Sequence, residues 1–180
     1  MARMARGAYL LFLNQDTLAT KPGWIGHMID VMEKNNAGIV GPKLVFPDGS
    51  IQSCGGLFDA GKGPYHRNLG WSNAQDWRVN TTERVSWITG AAILVRAEDF
   101  WQVGGMDEGY RGGYFEDVDL CLKMKHQLGK DTWYCAEAVL QHAVGSTGGN
   151  PENFRANSLR FHERWDSKIV PDSQYVYVNY

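Results

Sequence analysis

Two kinds of apolar spacing alternate along this 180-residue chain. The first is a short run with no polar interruption, Ala8-Tyr-Leu-Leu-Phe-Leu13, which predicts a central parallel strand buried on both faces. It breaks off in Asn14-Gln15-Asp16-Thr17, and polar residues at the carboxyl end of a strand are well placed to meet a ligand in an open α/β sheet. The second spacing is helical. Pro22 opens a segment from Trp24 to Glu33 with Trp24, Met28, Val31 and Met32 on one side, and Asn35-Asn36 closes it. Gly38–Gly41 and Lys43–Phe46 then read as one or two short strands, and the turn Pro47-Asp48-Gly49-Ser50 makes Lys43–Gln52 a hairpin.

Periodicity disappears between Cys54 and Arg84, which predicts a long irregular loop carrying Phe58, Tyr65, His66, Trp71 and Trp77; such loops either serve a site or form variable surface. Order returns at Val85–Arg96, a β-prone run with the small-residue centre Thr89-Gly90-Ala91-Ala92. Glycine inside a strand marks a bulge or the close approach of another group, here a diphosphate or sugar with Trp87 as a nearby platform. A short helix over Ala97–Val103 stops at Gly104-Gly105, and a longer one over Asp117–Leu128 stops at Gly129. Two short edge-like strands, Thr132–Cys135 and Ala138–Leu140, lead to His142 and a Gly/Ser loop at 145–149. A last helix runs from Pro151 to Lys168, with Phe154, Asn157, Ser158, Phe161 and Trp165 on one face, and an extended tail begins at Pro171. Strands alternating with helices give an α/β class, in one domain over 1–170.

Candidate chemistry is densest at Gly113-Tyr-Phe-Glu-Asp-Val-Asp119. Carboxylates suit a helix start, where backbone N–H groups lack partners and the macrodipole favours negative charge. That accounts for one or two acids. A third acid beside two aromatics and a glycine pair, with Asp16 upstream and His142 downstream, points instead to an active site in which Asp117 does the chemistry. Asp16 at its strand end suits a hard divalent cation, which takes one or two protein oxygens and fills the rest from water and phosphate; a turn or helix cap explains Asn14 and Asp16 equally well. His142 just past a strand suits a metal ligand or phosphate contact.

The totals narrow the classes. A net charge of −2 argues against a general nucleic-acid binder, and the first apolar run is too short for a signal peptide or a membrane span. Cys54, Cys121 and Cys135 are odd in number and form no C-x-x-C pair, so neither a disulfide framework nor a zinc knuckle is expected, and a reducing, cytoplasmic setting is.

Taken in order, Phe12-Leu-Asn-Gln-Asp-Thr17, Gly41-Pro-Lys-Leu44, Pro47-Asp-Gly49, Thr89-Gly90-Ala91, Gly104-Gly105-Met106-Asp107-Glu108, Tyr114-Phe-Glu-Asp-Val-Asp119 and His142 resemble a bacterial family-2 glycosyltransferase of the rhamnosyltransferase-like branch. The resemblance implies a GT-A fold, here a truncated Rossmann-like domain with a mixed, mostly parallel sheet flanked by helices. It implies inverting transfer of a sugar from a nucleotide-sugar donor to a hydroxyl of a glycan or lipid-linked acceptor, with Mn2+ or Mg2+ as cofactor. Asp16 matches the metal-binding aspartate of the D-x-D motif, although Asn14 stands where many relatives have the first acid. Asp117 matches the general base, Glu116 its acceptor-orienting neighbour, and Thr89 and Gly90 the lining of the donor-sugar pocket; His142 would join Asp16 at the metal. The family's nucleotide-binding first half has no counterpart here, so Ala8–Leu13 is expected at an uncovered sheet edge through which the chain associates with itself or binds a partner. The expected location is the cytoplasm, extending to the inner face of the bacterial membrane. Two other classes stay open: a catalytically silent sugar-binding module, and a metal-dependent phosphohydrolase built on the same acids.

Overall fold

The computed structural model describes residues 2–143 and 150–172. Strand β1 (Tyr9–Leu13) and the short β2 (Thr17–Ala19) precede helix α1 (Trp24–Asn35). Strands β3 (Ile39–Val45) and β4 (Ile51–Ser53) form the expected hairpin. Next come β5 (Gly56–Phe58), β6 (Pro64–His66), β7 (Glu83–Val85) and β8 (Ala92–Arg96), helices α2 (Ala97–Gln102) and α3 (Glu116–Leu128), strand β9 (Thr132–His142) and helix α4 (Pro151–Trp165).

Seven strands make one sheet in the order β1-β8-β3-β9-β2, with β4 added to β3 and β7 to β9. The sheet is mixed and flanked by helices, as expected, but parallel pairing is confined to its longest ladder, β3 with β9; every other pair in it is antiparallel. Residues alternate between two cores because successive side chains on a strand point to opposite faces. Ile39, Ile93 and Val95 join Val118, Cys121 and Met124 of α3 and Phe161 and Trp165 of α4, whereas Val40, Leu94, Cys135 and Ala138 meet Met28 and Met32 of α1. Covered on both sides, β8 carries the continuous apolar run Ala92–Val95, whereas β3 is interrupted by the buried Lys43.

Four expectations are corrected. The Ala8–Leu13 run is not central and parallel: β1 is the outer strand beside β8, antiparallel to it, with Leu10 its one fully buried side chain. That outer position agrees with the expected uncovered edge. Val85–Arg96 is not one strand, since 86–91 break it, sending β7 to β9 and β8 to β1 and β3. The two edge-like strands after Asp131 are a single β9 inside the sheet, its ladder with β3 shifting register between Pro42 and Lys43. Finally, 54–84 is not wholly irregular: β5 and β6 pair as a second, two-stranded sheet. Gly56 is fixed there by close approach, because a Cβ would lie 1.9 Å from the Trp87 indole.

Candidate active site

Helix α3 begins in an unusual way. Gly112, Gly113, Tyr114 and Phe115 all have positive φ, 69°, 88°, 75° and 74°, and the last two are side-chain-bearing residues in the left-handed region. Phe115 occupies the N-cap position and offers no side-chain oxygen to the first turn. Asp117 supplies one instead: its Oδ1 accepts from the Val118 N–H at 2.8 Å, and its Oδ2 accepts from the Gly90 N–H at 2.7 Å. The carboxylate therefore ties the break between β7 and β8 to the start of α3. Burial raises the Asp117 pKa above the usual carboxylate range, and the two backbone N–H groups offset part of that rise.

Glu116 differs. Its Oε2 is buried and has no hydrogen-bond partner among the described residues. Burial first, and the neighbouring Asp117 charge second, push its pKa up to about 7. A carboxyl poised near neutrality in a cleft is the condition for proton transfer at working pH.

Elsewhere on the same cavity, the end of β9 meets the loop after β1. His142 Nε2 lies 3.0 Å from Asp16 Oδ1, and Nδ1 lies 2.6 Å from Gln52 Oε1. The Gln52 amide donates through Nε2 to the His142 carbonyl, which turns its oxygen toward the ring. With Nδ1–H donating to Gln52, Nε2 is the ring nitrogen directed at the Asp16 carboxylate, a contact that a proton or a cation between the two atoms would satisfy. Two electron donors side by side, with the ring held from behind by an amide oxygen, form a fitting pair of ligands for a cation. No cluster of three or more His, Cys, Asp or Glu side chains suited to a metal occurs among the described residues, so the remaining ligands would come from water or substrate.

One cavity of about 680 Å³ is lined by Asn14, Asp16, Gln52 and His142 together with Glu116 and Asp117, and by Thr89 and Gly90, which lie between the two groups in the chain. Asn14, Asp16, Thr89, Gly90, Glu116, Asp117 and His142 thus border the same opening, whereas Asp119, the third acid of the cluster, does not: it is fully buried and accepts from the Trp165 indole N–H. Trp87 borders the opening in a different manner from that expected. It is 4% exposed and its indole N–H donates to the Leu57 carbonyl at 3.1 Å, so it forms part of the wall and not an open platform. The sequence reading missed Gln52, whose role exists only through its spatial neighbour His142, as well as His66 and Leu69, which the region without periodicity brings to the cavity. The Gly/Ser loop at 145–149 lies outside the described residues.

No family model matches the chain. An N-acetylglucosaminyl-diphospho-decaprenol L-rhamnosyltransferase of Mycobacterium tuberculosis is 37% identical over 150 residues, which are 75% of this chain and 47% of that protein. An O-antigen biosynthesis protein of Myxococcus xanthus is 31% identical over 138 residues, 70% of this chain and 10% of its own length. Among solved structures, GalNAc-T7 with UDP, GalNAc and Mn2+ superposes with a TM-score of 0.70 over 92% of this chain and 34% of that one, at 18% identity, and shows the GT-A fold. The chain belongs to the family-2 glycosyltransferases with a GT-A fold. It spans less than half the length of these relatives. In the GT-A frame of this glycosyltransferase chain, the cavity opens where β1, β8 and β9 end or break, at Asn14, Gly90 and His142. No described helix is long and apolar enough to cross a membrane, and all three cysteines are free and buried.

Proposed function

We propose that this glycosyltransferase chain carries the acceptor and metal side of an inverting sugar transfer, from a nucleotide-sugar donor to a hydroxyl of a glycan or lipid-linked acceptor, in the cytoplasm. The observation that carries it is that Asp16, His142, Glu116 and Asp117 all line one cavity. In this reading the acceptor hydroxyl oxygen bonds to the anomeric carbon as the bond to the diphosphate breaks. The hydroxyl proton passes to Asp117, and Glu116 orients the acceptor beside it. Thr89 and Gly90 line the donor-sugar side, with Asn14 contributing a polar contact. Asp16 and His142 fit a divalent ion, Mn2+ or Mg2+, and a bound ion would neutralise the charge gathering on the departing nucleoside diphosphate. The relatives' printed names support sugar transfer in cell-surface polymer synthesis.

The test assays this chain with a panel of nucleotide sugars, Mn2+, and an N-acetylglucosaminyl diphospholipid acceptor. Asp117→Asn is expected to lower turnover by about 10²-fold or more while leaving donor affinity unchanged. Full activity in that variant would remove Asp117 as the base. Binding of glycan with no response to any nucleotide sugar would favour a silent sugar-binding module, and hydrolysis of simple phosphate esters a phosphohydrolase.

A further inference from the structure

Four successive positive φ angles at 112–115 are sustained by one side chain, Asn157 of α4, which is 2% exposed. Its Oδ1 accepts from the Arg111 N–H at 3.1 Å, and its two amide hydrogens are shared among the carbonyls of Arg111, Gly113 and Tyr114 at 3.1, 2.7 and 3.2 Å. Strain held this firmly beside a cleft calls for a reason. The run sends two adjacent aromatics to different places. Phe115 is buried against Phe161, centroids 5.1 Å apart, whereas Tyr114 stays 46% exposed on the cavity wall. Its ring stands edge to face with Phe154, centroids 5.3 Å apart and planes at 81°, and Phe154 is itself 48% exposed and lines the same cavity.

We infer that Tyr114, braced by Phe154 and set in place by Asn157, is a platform for the apolar face of the acceptor's sugar ring. This rests on the proposed sugar transfer and deepens it. An aromatic face is electron-rich and attracts the weakly positive C–H groups on one side of a pyranose. The corner leads directly into the segment bearing Glu116 and Asp117, two and three residues on from Tyr114, and all three residues border the same cavity. A ring seated there belongs to the molecule whose hydroxyl meets the acids, which is the acceptor and not the donor. Asn157 is a positioning residue that acts through the 111–114 backbone.

Two soluble probes test it on this chain by NMR titration: N-acetylglucosaminyl diphosphate with an octyl chain, and octyl diphosphate without the sugar. Wild type should bind the sugar-bearing probe about five- to tenfold more tightly. Tyr114→Gly should erase that preference while its melting midpoint holds or rises, because glycine takes a positive φ without steric cost; Tyr114→Phe should keep the preference. Asn157→Leu, similar in size but without the hydrogen bonds, should lower both preference and midpoint. The platform is overturned if wild type shows no preference, or if Tyr114→Gly leaves it intact or weakens both probes alike, the last outcome marking an apolar patch for the lipid chain. In the sugar-transfer assay, Tyr114→Gly should raise the acceptor KM with donor KM unchanged. Sugar transfer with an unchanged acceptor KM sinks the platform alone, whereas absence of any sugar transfer by wild type sinks the proposed function.

Discussion

Glu116 and Asp117 are adjacent in sequence and have opposite hydrogen-bond fates. Asp117 has both oxygens engaged by backbone N–H groups, so the helix-start role that explains an acid at this position coexists with the catalytic role proposed for it. Glu116 keeps a buried oxygen without a partner and is raised to about 7. For a carboxyl whose folded pKa lies above its unfolded value of 4.5, its favourable contribution is fully present below pH 4.5 and is lost as pH rises through 7, where the ionised form must stay buried. Glu116→Gln should therefore stabilise the fold at pH 8 by about 1–2 kcal/mol, a figure discounted for partial exposure, and by almost nothing at pH 4.5. Urea unfolding at the two pH values measures it. Gln52 lends itself to a second test. If its amide oxygen holds the His142 ring with Nε2 toward Asp16, Gln52→Leu should weaken Mn2+ binding about tenfold or more, read by calorimetry or by EPR of the free ion. Unchanged affinity would show that Gln52 does not orient a metal ligand.

Elements succeed here where their ends are chemically marked. Helix α1 stops at Asn36 in the left-handed region and α3 at Gly129 with φ 66°, both closing with N–H bonds back to the last turn. Helix α4 opens with Pro151 in its first turn and Asn150 capping the Glu152 N–H at 2.8 Å. What α4 does is set by a contact that its own periodicity does not reveal. Asp119 of α3, fully buried, accepts from the Trp165 indole N–H at 2.8 Å and lies 3.1 Å from Arg164 and 3.6 Å from Lys123. With Asn157, this docks α4 against the start of α3 and so supports the wall carrying Glu116 and Asp117. Asp119→Ala leaves the buried Trp165 indole N–H without its acceptor, while Arg164 keeps Asp107 and Lys123 keeps the Gly105 carbonyl, and should destabilise the protein by about 1–3 kcal/mol, measurable by urea melts; no loss would mean that the network is not what joins the helices.

At the scale of the whole molecule, β1 leaves its outer backbone edge unpaired among the described residues, and an uncovered edge is a template for another strand. We propose self-association there. Sedimentation velocity should show a dimer growing with concentration, and a strict monomer at high concentration would refute it. The sequence by itself marked most of the larger elements, because apolar runs read as strands, helical faces leave spacings of three and four, and glycine, proline and asparagine mark the ends, but it missed β5 and β6, merged β7 with β8 and split β9. It also held the chemistry-bearing residues, since Asp16, His142, Glu116 and Asp117 are conspicuous by type and neighbourhood. Only the tertiary structure decided strand order and direction, which put β1 outside and β9 inside, because pairing depends on which backbones meet and not on the run of side chains within one strand. Only it decided that Gln52 stands behind His142, that Trp87 is wall, and that Asn157 holds Tyr114 open to the cleft. Those roles belong to contacts between residues distant in the chain, and a linear pattern carries no signal for a partner lying on another element.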